Sequence, residues 1–161
     1  MTLIELLIVI VCLAIAAVLV VPEIGAANAL SLPKAAELVS ADLQFAQLQA
    51  MQSAVNPVVV VFKVSGNSYQ IARASDPATP ITNPADGQPY VVTFGQGRAA
   101  PLAGVTIQSL ALGSGGNTLT YAAYGSLAGG ADAQITLAAH DHTLTLTVNA
   151  STGAVTIGQI Q

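Results

Sequence analysis

At 161 residues the chain has room for one domain and an additional N-terminal segment. Charged residues make up 7 % and hydrophobic ones 53 %, against about 25 % charged in an ordinary soluble domain, so Ser, Thr, Asn, Gln, Gly and Ala must cover the surface, as suits a subunit buried against its own copies or a fibre outside the cell. A net charge of −4, with Lys34, Lys63, Arg73 and Arg98 scattered, excludes the cation-rich face that nucleic acid requires.

From Met1 to Val21 the chain is apolar except for Thr2 and Glu5. A helix of that length rises roughly 30 Å, about the thickness of a bilayer hydrocarbon core. An acid inside such a run costs about 2.5–3.5 kcal/mol on insertion scales, so Glu5 is a functional residue whose partner has to be found. No Lys or Arg precedes Lys34, which leaves an amino terminus as the nearest cation. Within one straight helix that amine points away from Glu5, whereas a second copy shifted along the axis brings its own amine alongside. The pattern predicts a polymer. A signal peptide fits poorly, since there is no basic n-region and the apolar run is too long. A plain membrane anchor is the rival that Glu5 and Pro22 weigh against. Cys12 lies in the run as a small hydrophobe, and being the one cysteine it allows no intrachain disulfide.

Thr2-Leu3-Ile4-Glu5-Leu6, with the apolar run to Pro22, resembles the N-terminus of a mature type IV pilin or type II secretion pseudopilin. The resemblance implies cleavage by a prepilin peptidase just before Met1, where the family usually has Phe. It implies N-methylation of the new amine and pairing of Glu5 with Met1 of an adjacent subunit, with Met1, Thr2 and Glu5 as the assembly residues. The resemblance implies a processed subunit, from which the family's basic leader ending in Gly has been removed before Met1. Pro22 removes a helical hydrogen bond and Gly25 costs about 1 kcal/mol relative to Ala, so residues 14–25 are the weakest part of the long helix. The resemblance implies that this stretch melts on assembly.

A second helical portion starts near Leu32, with Ser31 as N-cap and Pro33 in the first turn, and runs to about Val55, where Asn56-Pro57 stops it. Leu38, Ala41, Phe45, Leu48 and Val55 form one stripe, and Val39, Leu43, Ala46 and Ala50 a second, smaller arc. The expectation is that the large stripe packs on a sheet while the small arc faces neighbouring helices; the alternative is that both are ordinary core.

From Pro57 the period changes to two. Val58–Val64 reads as a strand buried on both faces, and Ser65-Gly66-Asn67 turns it into Ser68–Arg73. Four prolines place Ser75 to Pro89 in an irregular loop. Strands follow at Tyr90–Phe94, Val105–Leu112, Thr118–Tyr124, Gln134–Ala138, Thr143–Val148 and Ala154–Ile157. In Thr143–Val148 the threonines face water and Leu144, Leu146 and Val148 face inward. Gly115-Gly116-Asn117 and Thr152-Gly153 supply positive φ for turns. The segments Leu119–Gly130, Gln134–Leu137, Leu144–Val148 and Ser151–Ile157 resemble the all-β domain of the GspH/FimT type of minor pseudopilin. Members that bind DNA carry basic residues near the C-terminus; none follows Arg98 here. The family often has Arg in the turn before the last strand, where Ala154 stands.

His140-Asp141-His142 is the cluster best able to hold metal, but a polar hairpin turn accounts for it more simply. No catalytic triad order, carboxylate pair, phosphate loop or haem-attachment motif stands out, so neither an enzyme nor a cofactor is expected. Asn149-Ala-Ser151 fits a glycosylation sequon, a weak signal in a bacterial product. The fold class expected is α+β: a long N-terminal helix, kinked or partly melted near Pro22, packed on a β-rich domain. Residues 1–31 form the hydrophobic anchor and filament core, residues 32–56 its amphipathic continuation, and residues 57–161 the β-domain. The function expected is a structural subunit of an extracellular type IV pilus-like filament, held in the cytoplasmic membrane before assembly. Its partners are further copies of itself, prepilin peptidase and the assembly machinery. A type II secretion pseudopilin is the alternative, and a membrane-tethered module binding through Ser75–Pro89 is the rival from another class.

Overall fold

The computed structural model describes residues 4, 5, 7, 8, 10, 11, 31–53, 55–113 and 116–161. One helix, α1 (Ser31–Gln52), packs on two antiparallel sheets. The first is built from β1 (Val58–Lys63), β2 (Ser68–Arg73), β3 (Asp76–Pro80), β4 (Val91–Thr93) and β6 (Thr118–Tyr121). Its order is β3-β2-β1-β6, with β4 beside the first half of β2. The second runs β5-β7-β8-β9, from β5 (Thr106–Ala111), β7 (Ala133–Ala139), β8 (His142–Val148) and β9 (Val155–Ile157). The α+β class is as expected, and most strands fall within a residue or two of their expected bounds.

The strand chemistry explains the layers. In β1 the β-branched run Val58-Val59-Val60 is buried on both faces, and α1 packs against the strand. In β8 the alternation holds: Leu144, Leu146 and Val148 are buried and the threonines between them half-buried. Thr145 pairs with Thr136 of β7 through their hydroxyls at 3.1 Å, a cross-strand contact typical of a partly wet face.

The helix reverses the expectation for its two stripes. Val39, Leu43, Ala46 and Ala50 are buried, together with Leu32, Ala35 and Ala36. Leu38 and Phe45 are half-buried, while Ala41, Leu48 and Val55 are exposed. Small side chains let the helix approach the sheets closely, and Tyr69, Tyr121, Phe62 and Leu119 supply the bulk from the other side. Ser31, expected as a cap, is already helical, and the helix stops at Gln52 rather than near Val55.

The loop expected from Ser75 to Pro89 is regular over its first part. Residues 76–80 form the edge strand β3, antiparallel to β2, with a bulge between Ala72 and Arg73. Pro77 and Pro80 fit there because an edge strand and a bulge both leave positions where no N–H is required. After Ile81 the chain leaves the sheet as a hairpin closed by a bridge between Thr82 and Pro89. A 3-10 segment, Gly97–Leu102, follows β4 and was not expected. Met1, Thr2, Cys12, Pro22 and Gly25 lie outside the described residues, as does the kink expected at Pro22.

Candidate functional site

Asp42 is the one charged side chain on the buried arc of α1 among the described residues, 3 % exposed. It sits on the face of Val39, Leu43 and Ala46, so the helix that buries those residues buries the acid too. Three donors from three segments meet it. Tyr69 of β2 donates its hydroxyl to Oδ2 at 2.6 Å, Tyr90 beside β4 donates to Oδ1 at 2.9 Å, and Arg98 of the 3-10 segment donates Nη2 to Oδ2. The Arg98 guanidinium also lies 4.7 Å from the centre of the Tyr90 ring, and Phe45 stacks on that ring at 5.1 Å and 13°.

Burial pushes the Asp42 carboxyl above its ordinary range, and the hydrogen bond from Tyr69, the Arg98 charge and the Tyr90 bond only partly offset that. The same burial, with the Asp42 charge beside them, raises the Tyr69 and Tyr90 phenols. Burial works against the Arg98 cation, but Asp42 and the two tyrosines outweigh it and hold the guanidinium up. Both carboxylate oxygens of Asp42 and the hydroxyls of Tyr69 and Tyr90 are occupied by other members of the cluster. The cluster ties α1, the first sheet and the 3-10 segment together, and it presents no free nucleophile. Sequence reading passed over it, although one signal was there: a lone acid inside an apolar helical arc.

Beside the cluster, a cavity of about 310 Å³ opens between the 82–89 hairpin and the start of the 3-10 segment, with Val91 and Thr93 of β4 as its floor. Arg98, 37 % exposed along its side chain, reaches from the cluster to the cavity wall.

The residues singled out from sequence fall elsewhere. Glu5 is helical and exposed, and Ile4, Leu7, Ile8, Ile10 and Val11 around it are helical and exposed as well. His140 and Asp141 form the two-residue turn between β7 and β8, with His140 at φ 52°, and His142 opens β8. Among the described residues no three His, Cys, Asp or Glu side chains are placed to hold a metal. Asn149 is exposed in the turn before β9, where its Oδ1 accepts from the Ser151 and Thr152 amides at 3.0 Å each. Among the described residues no helix is long and apolar enough to cross a membrane; most of the apolar run lies outside them.

A family model described as type II transport protein GspH matches residues 35–153. The chain belongs to the GspH family. Solved structures agree on the fold. The Vibrio cholerae type 2 secretion system minor pseudopilin EpsH shares 14 % identity at a TM-score of 0.58, over 79 % of this chain and 95 % of that one. The Pseudomonas aeruginosa type IV minor pilin FimU shares 18 % identity in two crystal forms, at TM-scores of 0.56 and 0.57, over 80 % of this chain and 93 % or 88 % of those. No curated protein sequence matches significantly. The superfamily expected from Thr2–Leu6 and from the C-terminal strands is thereby confirmed, with the GspH match taking in most of α1 as well as the β-domain. The fold is the one those minor pseudopilin and minor pilin structures show.

Proposed function

We propose that this GspH-family chain is a structural subunit of an extracellular type IV pilus-like filament. It polymerises through its N-terminal helix, with Glu5 pairing the amine of a neighbour's Met1. The observation that carries this reading is the exposure of Ile4, Leu7, Ile8, Ile10 and Val11, between 48 % and 67 % each, on a helix that the β-domain leaves uncovered. Apolar surface of that extent is stable in lipid or against other apolar helices, not in water. In this scheme lipid of the cytoplasmic membrane covers it first, and helices of other copies cover it in the fibre. Prepilin peptidase exposes Met1 for N-methylation, Thr2 lies beside the amine, and Pro22 with Gly25 gives the backbone a place to unwind.

Glu5→Ala is expected to leave the chain in membrane fractions and remove it from sheared surface material. Unchanged fibres from that variant would sink the charge-pair mechanism. Electron microscopy of sheared material, with mass spectrometry for methylated Met1, reads the outcome directly. A second reading, a pseudopilin of a type II secretion system, is favoured by the description of the family model. It predicts that deleting the chain blocks protein export while no surface fibre contains it. A chain found only in membranes, needed neither for fibres nor for export, would instead be the tethered binding module.

A further inference from the structure

Val91, Val92 and Thr93 of β4 line one side of the cavity. β4 pairs with β2 through the register Ser68↔Thr93, Tyr69↔Val92 and Gln70↔Val91. The flanking bonds, from the Ile71 amide to the Tyr90 carbonyl and from the Phe94 amide to the Asn67 carbonyl, fix which pairs are bonded. Bonded pairs in an antiparallel ladder alternate, so Val92 bonds Tyr69 while the backbone polar groups of Val91 and Thr93 turn away from β2. Two of those four groups are used locally: the Val91 amide donates to the Pro89 carbonyl at 2.7 Å, and the Thr93 carbonyl accepts from Gln96 at 3.0 Å. The Thr93 N–H and the Val91 C=O remain, and no protein group among the described residues bonds them. They lie on the outer edge of β4, two residues apart and in residues that line the cavity, the spacing at which an added strand places one acceptor and one donor.

The walls are made for the same purpose. The hairpin is braced by the Asn83 amide on the Gln88 carbonyl at 2.7 Å and the Gly87 amide on the Asn83 carbonyl at 2.9 Å. Asn83 is buried, and its Oδ1 accepts from the Ala85 amide at 3.0 Å, which leaves its side-chain amide nitrogen for whatever enters. Asp86 spends one carboxylate oxygen on the Gln88 amide and has the other open. Across the cavity, the charge of Arg98 is neutralised by Asp42. The wall charge left over is therefore the negative one of Asp86.

We propose that this notch is a peptide-binding site: an extended segment of a partner protein adds to the outer edge of β4, through the Thr93 N–H and Val91 C=O, with a basic side chain on Asp86. Edge-strand addition takes its affinity from main-chain bonds and its selectivity from side-chain positions alternating along the strand. β4 offers only two main-chain bonds, so a short peptide binds weakly, with a Kd on the order of 1 mM or somewhat below. The inference rests on the fold alone and stands or falls independently of the filament reading.

The probe is an N-acetylated, C-amidated pentapeptide, Thr-Val-Lys-Val-Thr, titrated into the full-length, isotope-labelled chain in detergent micelles and followed by NMR. Saturable shifts at Val91, Thr93 and Gln96, with slowed hydrogen exchange of the Thr93 amide, are expected. N-methylation of residues 2, 3 and 4 of the peptide, which removes whichever amide meets the Val91 carbonyl, should weaken binding about fivefold or more. Asp86→Asn should weaken it by up to about fivefold, the scale of an exposed ion pair, while leaving thermal unfolding in place. The proposal is overturned by equal binding of the N-methylated peptide, by shifts confined to other surfaces, or by no saturation. Insensitivity to Asp86→Asn overturns the assignment of a basic partner. If maltose perturbs these signals and the peptide does not, the notch is a carbohydrate site and the proposal is wrong.

Discussion

The hydroxyl of Tyr69 donates to the carboxylate of Asp42 at 2.6 Å, a bond from the middle of the first sheet to the middle of the helix with both partners buried. Truncating either residue leaves the other polar and dry. Asp42→Ala strands the Tyr69 hydroxyl and unpairs Arg98, and should cost about 3 kcal/mol in urea denaturation. Arg98→Ala should cost less, about 1–2 kcal/mol, because its side chain is 37 % exposed and water screens its half of the pair. In a double-mutant cycle the two losses should fall well short of additive. Equal and additive costs would mean that the cluster does not act as a unit.

Three buried phenols set the response to alkali. Tyr69, Tyr90 and Tyr121 are all held above the ordinary value of 10.0, by burial first and, for Tyr69 and Tyr90, then by the Asp42 charge. In the unfolded chain each loses its proton near pH 10, while in the folded chain each keeps it. Above that pH the unfolded state binds fewer protons, so stability falls as pH rises, by up to about 1.4 kcal/mol per pH unit for each phenol. Tyr121 can be tested alone. Among the described residues its hydroxyl is the buried side-chain polar atom that finds no partner. Tyr121→Phe should therefore be neutral or stabilising at pH 7 and should flatten the alkaline slope. A loss of more than about 1 kcal/mol at pH 7 would show that the hydroxyl is bonded after all.

The sequence made the sheets legible because their signals are local. Alternating Thr and Leu from Thr143 to Val148, and glycine at positions such as Gly116 and Gly153, place strands and turns without knowledge of the partner strand. What it obscured depends on distant chain. Whether Leu48 or Leu43 faces the core is set by how closely α1 approaches β1 and β8, which periodicity does not encode. The strand at Asp76–Pro80 was hidden by its prolines, which are tolerated because β3 is the edge of the sheet and meets β2 at a bulge. Asp42 shows its meaning only when Tyr69, Tyr90 and Arg98 are brought to it from 27, 48 and 56 residues away.

The two helix arcs can be told apart by truncation. Leu43 is 1 % exposed and Leu48 55 %. Leu43→Ala should lower stability by about 2–5 kcal/mol through lost burial and a cavity, whereas Leu48→Ala should stay within about 0.5 kcal/mol. Chemical denaturation of the detergent-solubilised chain measures both. The reverse order would restore the large stripe as the sheet-facing one. If Leu48→Ala leaves stability alone but thins the fibres, the exposed stripe contacts neighbouring subunits.

Gln47 reaches from α1 to two turns at once, donating its side-chain amide to the Gly125 carbonyl at 2.9 Å and to the Thr152 carbonyl at 2.7 Å. Gly153, at φ +68°, lies against this junction, and a Cβ there would overlap the Gly125 carbonyl oxygen and Nε2 of Gln47. Gly153→Ala thus suffers twice, from left-handed backbone at about 1–2 kcal/mol and from displacing the clamp. Gly116, at φ +78°, has nothing within 4 Å of such a Cβ and isolates the backbone part. Gly153→Ala should lower stability by about 1–2 kcal/mol more than Gly116→Ala does, since it also loses the two Gln47 hydrogen bonds, one part-buried and one exposed. Gln47→Ala, which keeps the glycine, should recover much of that difference as its own loss. If the two glycine variants melt together, the clamp contributes nothing, and the turn at Gly153 is held by its own Asn149 bonds.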